Sequence, residues 1–491
     1  MAALAVRLID LWRRKQTLIK RALAQPKVPP RIESTDVQGL VFRGYGELKA
    51  CRYVLLQLTG EARAHAWLSS LAEQVTQGEN RSPATAVHVA FTYAGLARLG
   101  LPEATLAGFS QPFIEGMATP HRSRLFGDEG KSDPKSWAWG GPGTEPIHAV
   151  LVLYATSDPA LSEVYSHQRD SWSNSGWTEV TSVVCSSTID REHFGFSDGI
   201  SQPAIEGYHE SKSALHVIKA GEFVLGYQNE YDLLTSRPLV ASSASGAEHL
   251  PLDVEAESAR DFGRNGTYLV VRQLRQDVVA FRSTLDHLTQ HPDGSSNPEA
   301  RALLAAKWVG RWPSGASLVK TPWKDEAALS RENEFGYHKE DPSGLLCPVG
   351  AHVRRANPRD SLDPNPGTED SMGVNRRHRL IRRGRVYGKE LAPGAVDQEE
   401  RGLMFVAINA NIARQFEFIQ HSWLSDPRFS GLRGESDPIC GTLESNCFTQ
   451  QHSPVRRRYT GLPRFVTVAG GAYFFLPGIR ALKYLASLGS A

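Results

Sequence analysis

Short apolar strands alternate with helical segments along the chain, and this alternation limits the fold more than any other feature of the sequence. In the first half it predicts strands over 51–58 and 147–155, a helix over 62–75, and a strand that runs into a helix over 86–101. Strands and helices mixed in this way, with turns between strand pairs, favour an α+β fold over a doubly wound parallel sheet.

The same alternation returns in the second half of the chain. It predicts a strand followed by a helix over 266–281, a strand over 403–410 and a helix over 413–424. The segment 464–478 is predicted to form a β-hairpin, because two apolar runs flank a Gly470-Gly471 pair that is typical of a turn. We therefore expect two comparable halves.

The length of 491 residues also exceeds that of one ordinary domain. Between the halves, 209–265 and 282–345 are polar and irregular, and we predict long surface insertions there. We place the boundaries so that residues 1–35 form an N-terminal basic helix with a proline-rich linker, 36–240 form the first domain, and 241–491 form the second.

Composition and charge exclude several classes of protein. A net charge of +2 gives no general preference for nucleic acid or an anionic membrane, so we expect no nucleic-acid partner. The five cysteines include no Cys-x-x-Cys pair, which argues against a zinc or thioredoxin-like site. Cys440 and Cys447 are close enough in sequence to pair, but the low cysteine content favours reduced thiols and a cytoplasmic protein.

The N-terminal segment over residues 1–25 is basic and amphipathic. It lacks an uninterrupted apolar stretch and a small-residue cleavage site, which argues against a secretory signal. No apolar run in the sequence reaches the ~18 residues that cross a bilayer. The segment predicts a solvated helix, or a weak contact with a membrane surface or a partner.

The stretch FGFSDGISQP begins at Phe194 and places Asp198 between Gly195 and Gly199. Glycine lets a backbone turn sharply or pass close to a ligand. Taken alone, such a segment is more typical of a surface turn. The alternative is a loop that presents the carboxylate of Asp198 to a ligand.

The stretch CPVGAHVRRANPR, residues 347–359, contains a single histidine, His352, followed by arginines. One histidine cannot hold zinc or non-haem iron by itself, but it can hold haem iron, because the porphyrin supplies four nitrogens. Arg354 and Arg359 would then suit the two haem propionates, which are carboxylates. The alternative is a structural histidine beside a solvated basic run.

The stretch RRHRLIRRGRVYG, residues 376–388, is dense in arginine and follows an acidic, proline-rich loop over 360–371. One interpretation is a basic strand that pairs with this loop. In a haem pocket, a single arginine from the stretch would instead face the distal side of the haem.

In this order and with these spacings, the three stretches resemble the dye-decolorizing peroxidases, haem enzymes of a larger chlorite-dismutase-like superfamily. Further segments, including RGLMFVAINANIARQFEFIQ and GAYFFLPG, resemble the long-chain branch of that family and extend the resemblance over about residues 36–485. The resemblance implies an α+β fold of two ferredoxin-like halves, each an antiparallel sheet flanked by helices. It also implies one haem b per chain, with its iron, bound mainly by the C-terminal half.

The resemblance implies roles for individual residues. Asp198 matches the distal aspartate, and Arg382 matches the distal arginine, with Arg383 as the neighbouring alternative. His352 matches the axial ligand of the iron. Asp437 matches an acid that accepts a hydrogen bond from the His352 Nδ1–H, and an Asp-Pro turn is its structural alternative.

Other residues match parts of the family's cofactor pocket, namely Gly195, Phe196, Gly199, Arg354, Arg359, Leu403 and Phe405. Leu403 and Phe405 would keep the distal pocket narrow and dry, although a buried strand requires the same residues. Trp423 matches a tryptophan proposed in relatives as a surface electron-transfer site. Its alternative is packing in an amphipathic helix.

The implied activity is that of a haem peroxidase that reduces hydrogen peroxide through an oxoferryl intermediate and oxidises bulky aromatic, phenolic or dye-like donors. The reference pKa of aspartate is ~3.9 and that of histidine ~6.5, so Asp198 as the acid–base group predicts an acidic optimum. A haem-handling protein of the same superfamily would keep His352 without needing both Asp198 and Arg382. A structural α+β interaction module would bind no haem.

Overall fold

The first half of the chain forms a four-stranded antiparallel sheet. In this computed structural model, residues 31–490 are described except 61, 62, 82, 211, 212, 214 and 443–445. The strands are β1 (Ala50–Leu58), β2 (Thr85–Phe91), β3 (Ala149–Ala155) and β4 (Trp177–Cys185). Helix α1 (Ala64–Gln74) connects β1 to β2, and helix α2 (Asp158–Ser173) connects β3 to β4. The order β4-β1-β3-β2 is the ferredoxin-like arrangement, and the strands and helix predicted here are confirmed.

Alternate side chains of β1 supply two separate core layers. Val54 and Leu56 pack on the helix side of the sheet, in the same cluster as Trp67 of α1. Tyr53 and Leu55 point to the other layer, which lies between the two halves of the molecule. Both faces of the sheet are therefore covered, which explains why the central strands read as nearly continuous apolar runs.

The second half repeats the same arrangement. Its strands are β5 (Thr267–Gln276), β6 (Ile381–Arg382), β7 (Arg385–Tyr387), β8 (Gly402–Asn409) and β9 (Val466–Leu476). Helix α3 (Val278–Thr289) follows β5. The helix predicted over 413–424 follows β8 as two π-helical segments, Ala413–Glu417 and Ile419–Ser425. The order is β9-β5-β8-β7, with the short β6 also paired to β8. The α+β fold of two ferredoxin-like halves is therefore confirmed.

The two sheets meet at both ends through single residue pairs. Phe475 of β9 pairs with Phe91 of β2, and Tyr387 of β7 pairs with Cys185 of β4. The C-terminal helix α6 (Ile479–Ser487) packs on the first half, in the core cluster that also holds Trp67. The halves are thus packed into one body around the layer between the sheets.

The hairpin predicted over 464–478 is wrong, because these residues form the single strand β9 with a bulge near Val468. The glycines serve close packing. A Cβ on Gly470 would lie 2.5 Å from Trp139 Nε1, and one on Gly471 would lie 2.9 Å from Met117 Sδ. Close contacts with the distant residues Trp139 and Met117 therefore explain the Gly-Gly pair, and no turn is required.

The prediction of irregular insertions is wrong in part. Residues 282–345 contain helix α4 (Pro298–Val309), whose Leu304 and Trp308 pack against Phe281 of α3. Shorter strands lie outside the main sheet, at Ala204–Ile205, Val217–Ile218, Leu239–Ala241, Ala259–Asp261, Cys447–Gln450 and Arg457–Thr460. The remaining helices are Tyr93–Arg98, Glu103–Leu106, Gln111–Glu115, Pro120–Phe126, Tyr337–Glu340, α5 (His352–Ala356) and Glu369–Arg376.

Four further sequence expectations stand as follows. The N-terminal basic helix lies outside the described residues, and the domain boundaries at 35 and 240 stay predictions. Within the described residues, no helix combines the length and the apolar character needed to cross a membrane. All five cysteines are free.

Candidate active site

A cavity of about 320 Å³ brings together residues from both halves of the molecule. Asp198 comes from the loop after β4, Arg382 from β6 and His352 from α5. Leu403 and Phe405 of β8 form part of its apolar wall, as expected of them. The three motifs that are far apart in sequence therefore face one space.

Backbone conformation explains the glycines on either side of Asp198. Gly195 has φ +100° and Gly199 has φ +78°, values that side chains other than glycine rarely adopt. A Cβ on either glycine would meet nothing within 4 Å. Neither glycine belongs to the cavity lining, whereas Phe196 does. These two glycines shape the loop through their φ angles, and their contact with a cofactor stays a prediction.

A half-buried carboxylate, Glu192, fixes the other side of this loop. It accepts hydrogen bonds from the N–H groups of Phe194 and Phe196, at 2.9 and 2.8 Å, and from the Gln276 side chain at 2.6 Å. Burial raises the pKa of Glu192 despite these hydrogen bonds. Sequence analysis missed this residue, because a glutamate next to a glycine-rich segment is also common in exposed turns.

Asp198 and Arg382 form an ion pair at the cavity wall. Arg382 Nη1 lies 2.5 Å from Asp198 Oδ1, and the Gly199 N–H donates to the same oxygen at 2.6 Å. The two side chains are 40% and 34% exposed, and the exposed parts face the cavity. Burial acts to raise the pKa of Asp198, but the charge of Arg382 and the two hydrogen bonds outweigh it and lower the pKa below its usual value.

The alternative distal arginine, Arg383, points away from the cavity. Its guanidinium donates to the backbone carbonyls of Leu40 and Val41 at 2.8 and 2.9 Å.

The side-chain oxygen of Gln202 accepts the Arg382 N–H at 3.0 Å. Gln202 therefore ties the end of the Asp198 loop to the strand that carries Arg382, and it is a second residue that sequence analysis missed.

His352 forms a hydrogen-bonded pair with Asp437 beside the cavity. His352 Nδ1 lies 2.9 Å from Asp437 Oδ2, and the Asp437 side chain is fully buried. Because an ionised carboxylate only accepts, Nδ1 donates, and in the neutral imidazole Nε2 therefore keeps its lone pair. Burial acts to lower the pKa of His352, but Asp437 outweighs it and raises the pKa well above its usual value. The Asp-Pro segment thus does more than form a turn.

Cys440 completes a cluster with this pair. Its Sγ lies 3.8 Å from His352 Nδ1 and 3.5 Å from Asp437 Oδ1. The three side chains are close enough to share a metal ion. However, Asp437 Oδ1 already accepts the N–H groups of Ile439 and Cys440, at 2.8 and 2.9 Å, and Oδ2 accepts from His352. This pattern favours a role for Asp437 in orienting His352 over a shared ion.

Three arginines around the cavity form no ion pair with a carboxylate among the described residues. Arg311, Arg359 and Arg379 line the cavity, and within the described residues their hydrogen bonds go to backbone and amide oxygens. Burial lowers the pKa of Arg379 to about 9 and that of Arg311 to about 10. An anionic ligand in the cavity would stabilise cations in this setting. A haem with two propionates and a histidine ligand fits this set of donors.

Two predicted site residues lie in other surroundings, and their roles stay predictions. Arg354 does not line the cavity; it donates to Asp341 and to the Cys347 carbonyl, and its guanidinium lies over Tyr337. Trp423 is only 5% exposed and packs against the rings of His378 and Phe418, which fits its alternative of packing in a helix.

Arg311 and Arg379 were also missed by sequence analysis. Arg379 lies in the same arginine-rich stretch as Arg382, but that stretch gives no signal to separate the arginines that face inward. Arg311 follows α4, in a region where irregular structure was expected.

Comparison with known proteins adds independent findings. No family model matches the chain. A dye-decolorizing peroxidase of Mycena epipterygia is 30% identical over 447 residues, which cover 82% of this chain and 77% of that relative. The dye-decolorizing peroxidase AauDyP1 of Auricularia auricula-judae is 28% identical over 513 residues, which cover 96% and 91%. A solved dye-decolorizing peroxidase in complex with 2,6-dimethoxyphenol has a TM-score of 0.75 and 25% identity, over 93% of this chain and all of that one.

Proposed function

The chain belongs to the dye-decolorizing peroxidases, and from that membership we propose that its cavity binds one haem b, with His352 as the axial ligand of the iron and Asp198 and Arg382 as the distal catalytic pair. The enzyme is a haem peroxidase that acts on dyes and phenols. The observation that carries the assignment of the site is the Asp198–Arg382 pair, which faces the same cavity as the free Nε2 of His352.

The residues that would hold the haem are a histidine with a nitrogen that has no protein partner and arginines that form no ion pair among the described residues. His352 would give its Nε2 lone pair to the iron, and Asp437 would fix the ring and make the ligand more electron-donating. Arg311, Arg359 and Arg379 would neutralise the propionates. When bound, haem supplies an iron centre that binds peroxide and transfers electrons.

Asp198 is the group that moves a proton. Because its pKa is lowered, the carboxylate is ionised in mildly acidic solution and can accept a proton from one oxygen of hydrogen peroxide. The same carboxylate, now protonated, returns the proton to the other oxygen, which leaves as water. Its Oδ2 atom is free for this exchange in the described residues, since the ion pair and the Gly199 bond both use Oδ1.

Arg382 would stabilise the negative charge that develops on the leaving oxygen. Its guanidinium has five N–H donors and spends one of them on Asp198. A fixed cation in a cavity with apolar walls stabilises such charge more strongly than solvent does. Arg382 also keeps Asp198 ionised, so the two functions of the pair support each other.

Phenolic and dye-like donors are proposed as the second substrate. A solved relative binds 2,6-dimethoxyphenol. The electrons that such a donor gives up return the enzyme to its resting state after peroxide is reduced to water. Hydrogen peroxide and an aromatic reductant are thus the two partners that the proposed reaction needs.

Stopped-flow absorbance tests this assignment. The haem-loaded wild type and Asp198→Asn are mixed with hydrogen peroxide in mildly acidic buffer. We expect a fast spectral change in the wild type and a change slower by roughly 10²–10⁴-fold in the variant, which is the usual contribution of a positioned acid–base group. Equal rates would remove Asp198 from the proposed mechanism.

The haem-handling alternative needs His352 alone. It gives no reason for an aspartate–arginine pair that is partly exposed to the cavity, so the pair favours the peroxidase. A chain that binds haem but does not consume peroxide in the presence of a phenol would favour the alternative.

A further inference from the structure

Four oxidisable side chains form a continuous row across the sheets. Tyr387 of β7 pairs with Cys185 of β4, Cys185 pairs with Cys51 of β1, and Cys51 pairs with Tyr154 of β3. Residues that are directly opposite in antiparallel strands point to the same face of the sheet. All four side chains belong to the core layer between the two halves, which confirms that they share one face.

The two cysteines in the row have the placement of a disulfide that has not formed. Residues directly opposite across antiparallel strands have Cα atoms about 4.5–5.5 Å apart, which lies within the 4.4–6.8 Å that disulfides span. Cys51 and Cys185 are both buried and both free thiols. Closing an S–S bond between them therefore requires little movement of the backbone.

The row is connected to the active site through backbone on two sides. Behind Arg382, the Arg383 carbonyl accepts a hydrogen bond from the hydroxyl of Tyr53, which lies two residues from Cys51 on the same strand and face. The Tyr387 carbonyl lies 2.7 Å from His193 Nε2, in the segment that leads into the Asp198 loop. The row is thus hydrogen-bonded to the two segments that carry Arg382 and Asp198.

We propose that Cys51 and Cys185 are a redox-active pair that closes to a disulfide when the enzyme turns over peroxide without an external donor. The inference rests on the proposed function, because peroxide reduction in the cavity supplies the oxidant. In the balanced step, each thiol loses one electron and one proton, and an S–S bond forms. The O–O bond of one peroxide breaks, and it takes up both electrons and both protons to give two waters.

Tyr387 is suited to begin this transfer. Its hydroxyl donates to Glu400 Oε1 at 3.1 Å, so a proton acceptor is already in place when the ring loses an electron. The neighbouring strands of a sheet lie about 4.8 Å apart, which sets each step along the row. Loss of an electron and a proton from Cys185 then restores Tyr387.

Direct attack of peroxide on these thiols is disfavoured. The reactive form of cysteine is the thiolate. Burial raises the pKa of Cys185 well above its usual value, so little thiolate is present. The side chains are also closed to solvent, with Cys51 0% and Cys185 2% exposed. Oxidation through the sheet is therefore the route that the structure favours.

The test is a map of cysteine oxidation in the haem-loaded enzyme. The enzyme is exposed to repeated small additions of hydrogen peroxide with and without 2,6-dimethoxyphenol. It is then unfolded in the presence of an alkylating reagent, digested without reductant and examined by mass spectrometry, and peroxide consumption is followed in the same samples. Without donor, we expect a linked Cys51–Cys185 peptide in most chains. The buried Cys347 and Cys447 should remain reduced thiols and should therefore be found alkylated. With donor, we expect the linked peptide to fall several-fold.

Two variants separate the route from direct oxidation. Tyr387→Phe keeps the cavity residues and is expected to lower the linked fraction several-fold at equal peroxide consumption. Asp198→Asn is expected to slow linkage in step with peroxide consumption. Linkage at the wild-type rate in both variants would overturn the proposed route. Peroxide consumption in the wild type with both cysteines still alkylated would overturn the pair itself, and a chain that consumes no peroxide would overturn the proposed function together with this inference.

Discussion

The two sides of the cavity hold their charged pairs in opposite ways. On the His352 side, Asp437 is fully buried and all its hydrogen bonds go to fixed protein groups. On the opposite side, Asp198 and Arg382 remain 40% and 34% exposed to the cavity. A buried, saturated carboxylate keeps one protonation state, whereas a carboxylate with a free oxygen can exchange a proton with a ligand. This difference supports a role for Asp437 in holding His352 in place and a role for Asp198 and Arg382 in the proposed reaction.

The surroundings of each pair reinforce this contrast. Arg355 is buried and donates to the backbone carbonyls of Trp423, Asp426 and Glu435, which holds together the segment that carries Asp437. The Asp198 loop is fixed by Glu192 and Gln202 near its ends and by the hydrogen bonds of Ser197 to the Pro313 carbonyl, which leaves the Asp198 carboxylate open to the cavity. The following variants test whether the two sides differ as this comparison states.

Removal of the proposed axial ligand should have the largest effect. In His352→Ala, no nitrogen remains to hold the iron, so we expect loss of the haem absorbance bands and no measurable peroxide turnover. Absorbance spectra after haem addition check this. The exposed His287→Ala serves as the control and should bind haem normally. A fully active His352→Ala would contradict the proposed ligand.

Asp198→Asn should keep haem and lose turnover by roughly 10²–10⁴-fold, because the amide cannot accept the proton of peroxide. Steady-state oxidation of 2,6-dimethoxyphenol measures the loss. Asp190→Asn removes a carboxylate that is exposed and paired to Lys49, and it should leave the rate unchanged.

Asp437→Asn should have a smaller effect, since it acts through His352. Loss of such a partner typically costs about 10–100-fold in metal affinity or activity. We also expect the reduction potential of the haem iron to rise, because a less polarised imidazole donates less electron density. Spectroelectrochemical titration beside exposed Asp170→Asn measures this, and an unchanged potential would limit Asp437 to a structural role.

Arg382→Gln should move the pH profile. The positive charge of Arg382 lowers the pKa of Asp198, so activity in the wild type is lost only when the pH falls through that lowered value. Without the arginine the pKa rises, and the acidic limb should shift upward by about 1–3 pH units. The pH dependence of the peroxide reaction gives the shift; an identical acidic limb in both proteins would show that another group titrates.

Cys440→Ala should produce the smallest change. The thiol contacts His352 and Asp437 only at 3.8 and 3.5 Å, and the hydrogen bond between those two residues remains in the variant. A weak contact of about 0.5 kcal/mol corresponds to a two- to threefold change in rate. An effect as large as that of Asp437→Asn would show that the thiol is part of the ligand's hydrogen-bond system.

Much of the fold is visible in the sequence, because apolar runs mark strands wherever both faces of a sheet are covered. The strand near residue 470 was predicted as a hairpin because of its two glycines. Gly470 in fact makes room for Trp139 and Gly471 for Met117, and contacts between distant residues leave no local sequence pattern. Trp423 is a similar case. It was predicted to lie at the surface, but a helical pattern does not show which side of a helix meets solvent.

In the site, the structure brings the predicted residues of three compact motifs to one cavity, and it adds residues from elsewhere that the sequence did not predict. Asp198, His352 and Arg382 each lie in a short distinctive stretch. Glu192 and Arg311 reach the same cavity, but an isolated acid and an isolated arginine are common everywhere in a sequence. Arg354 lies two residues from His352, yet its side chain points to Asp341, because successive residues of a helix face different directions.

The Asp198–Arg382 pair joins residues that are 184 positions apart in the chain. At ~5–20 residues per second during synthesis, roughly 10 to 40 s pass between the emergence of the first partner and that of the second. In the proposed mechanism, the first half alone lacks both Arg382 and His352. Peroxidase activity is therefore expected only after the second half has been made and has folded against the first.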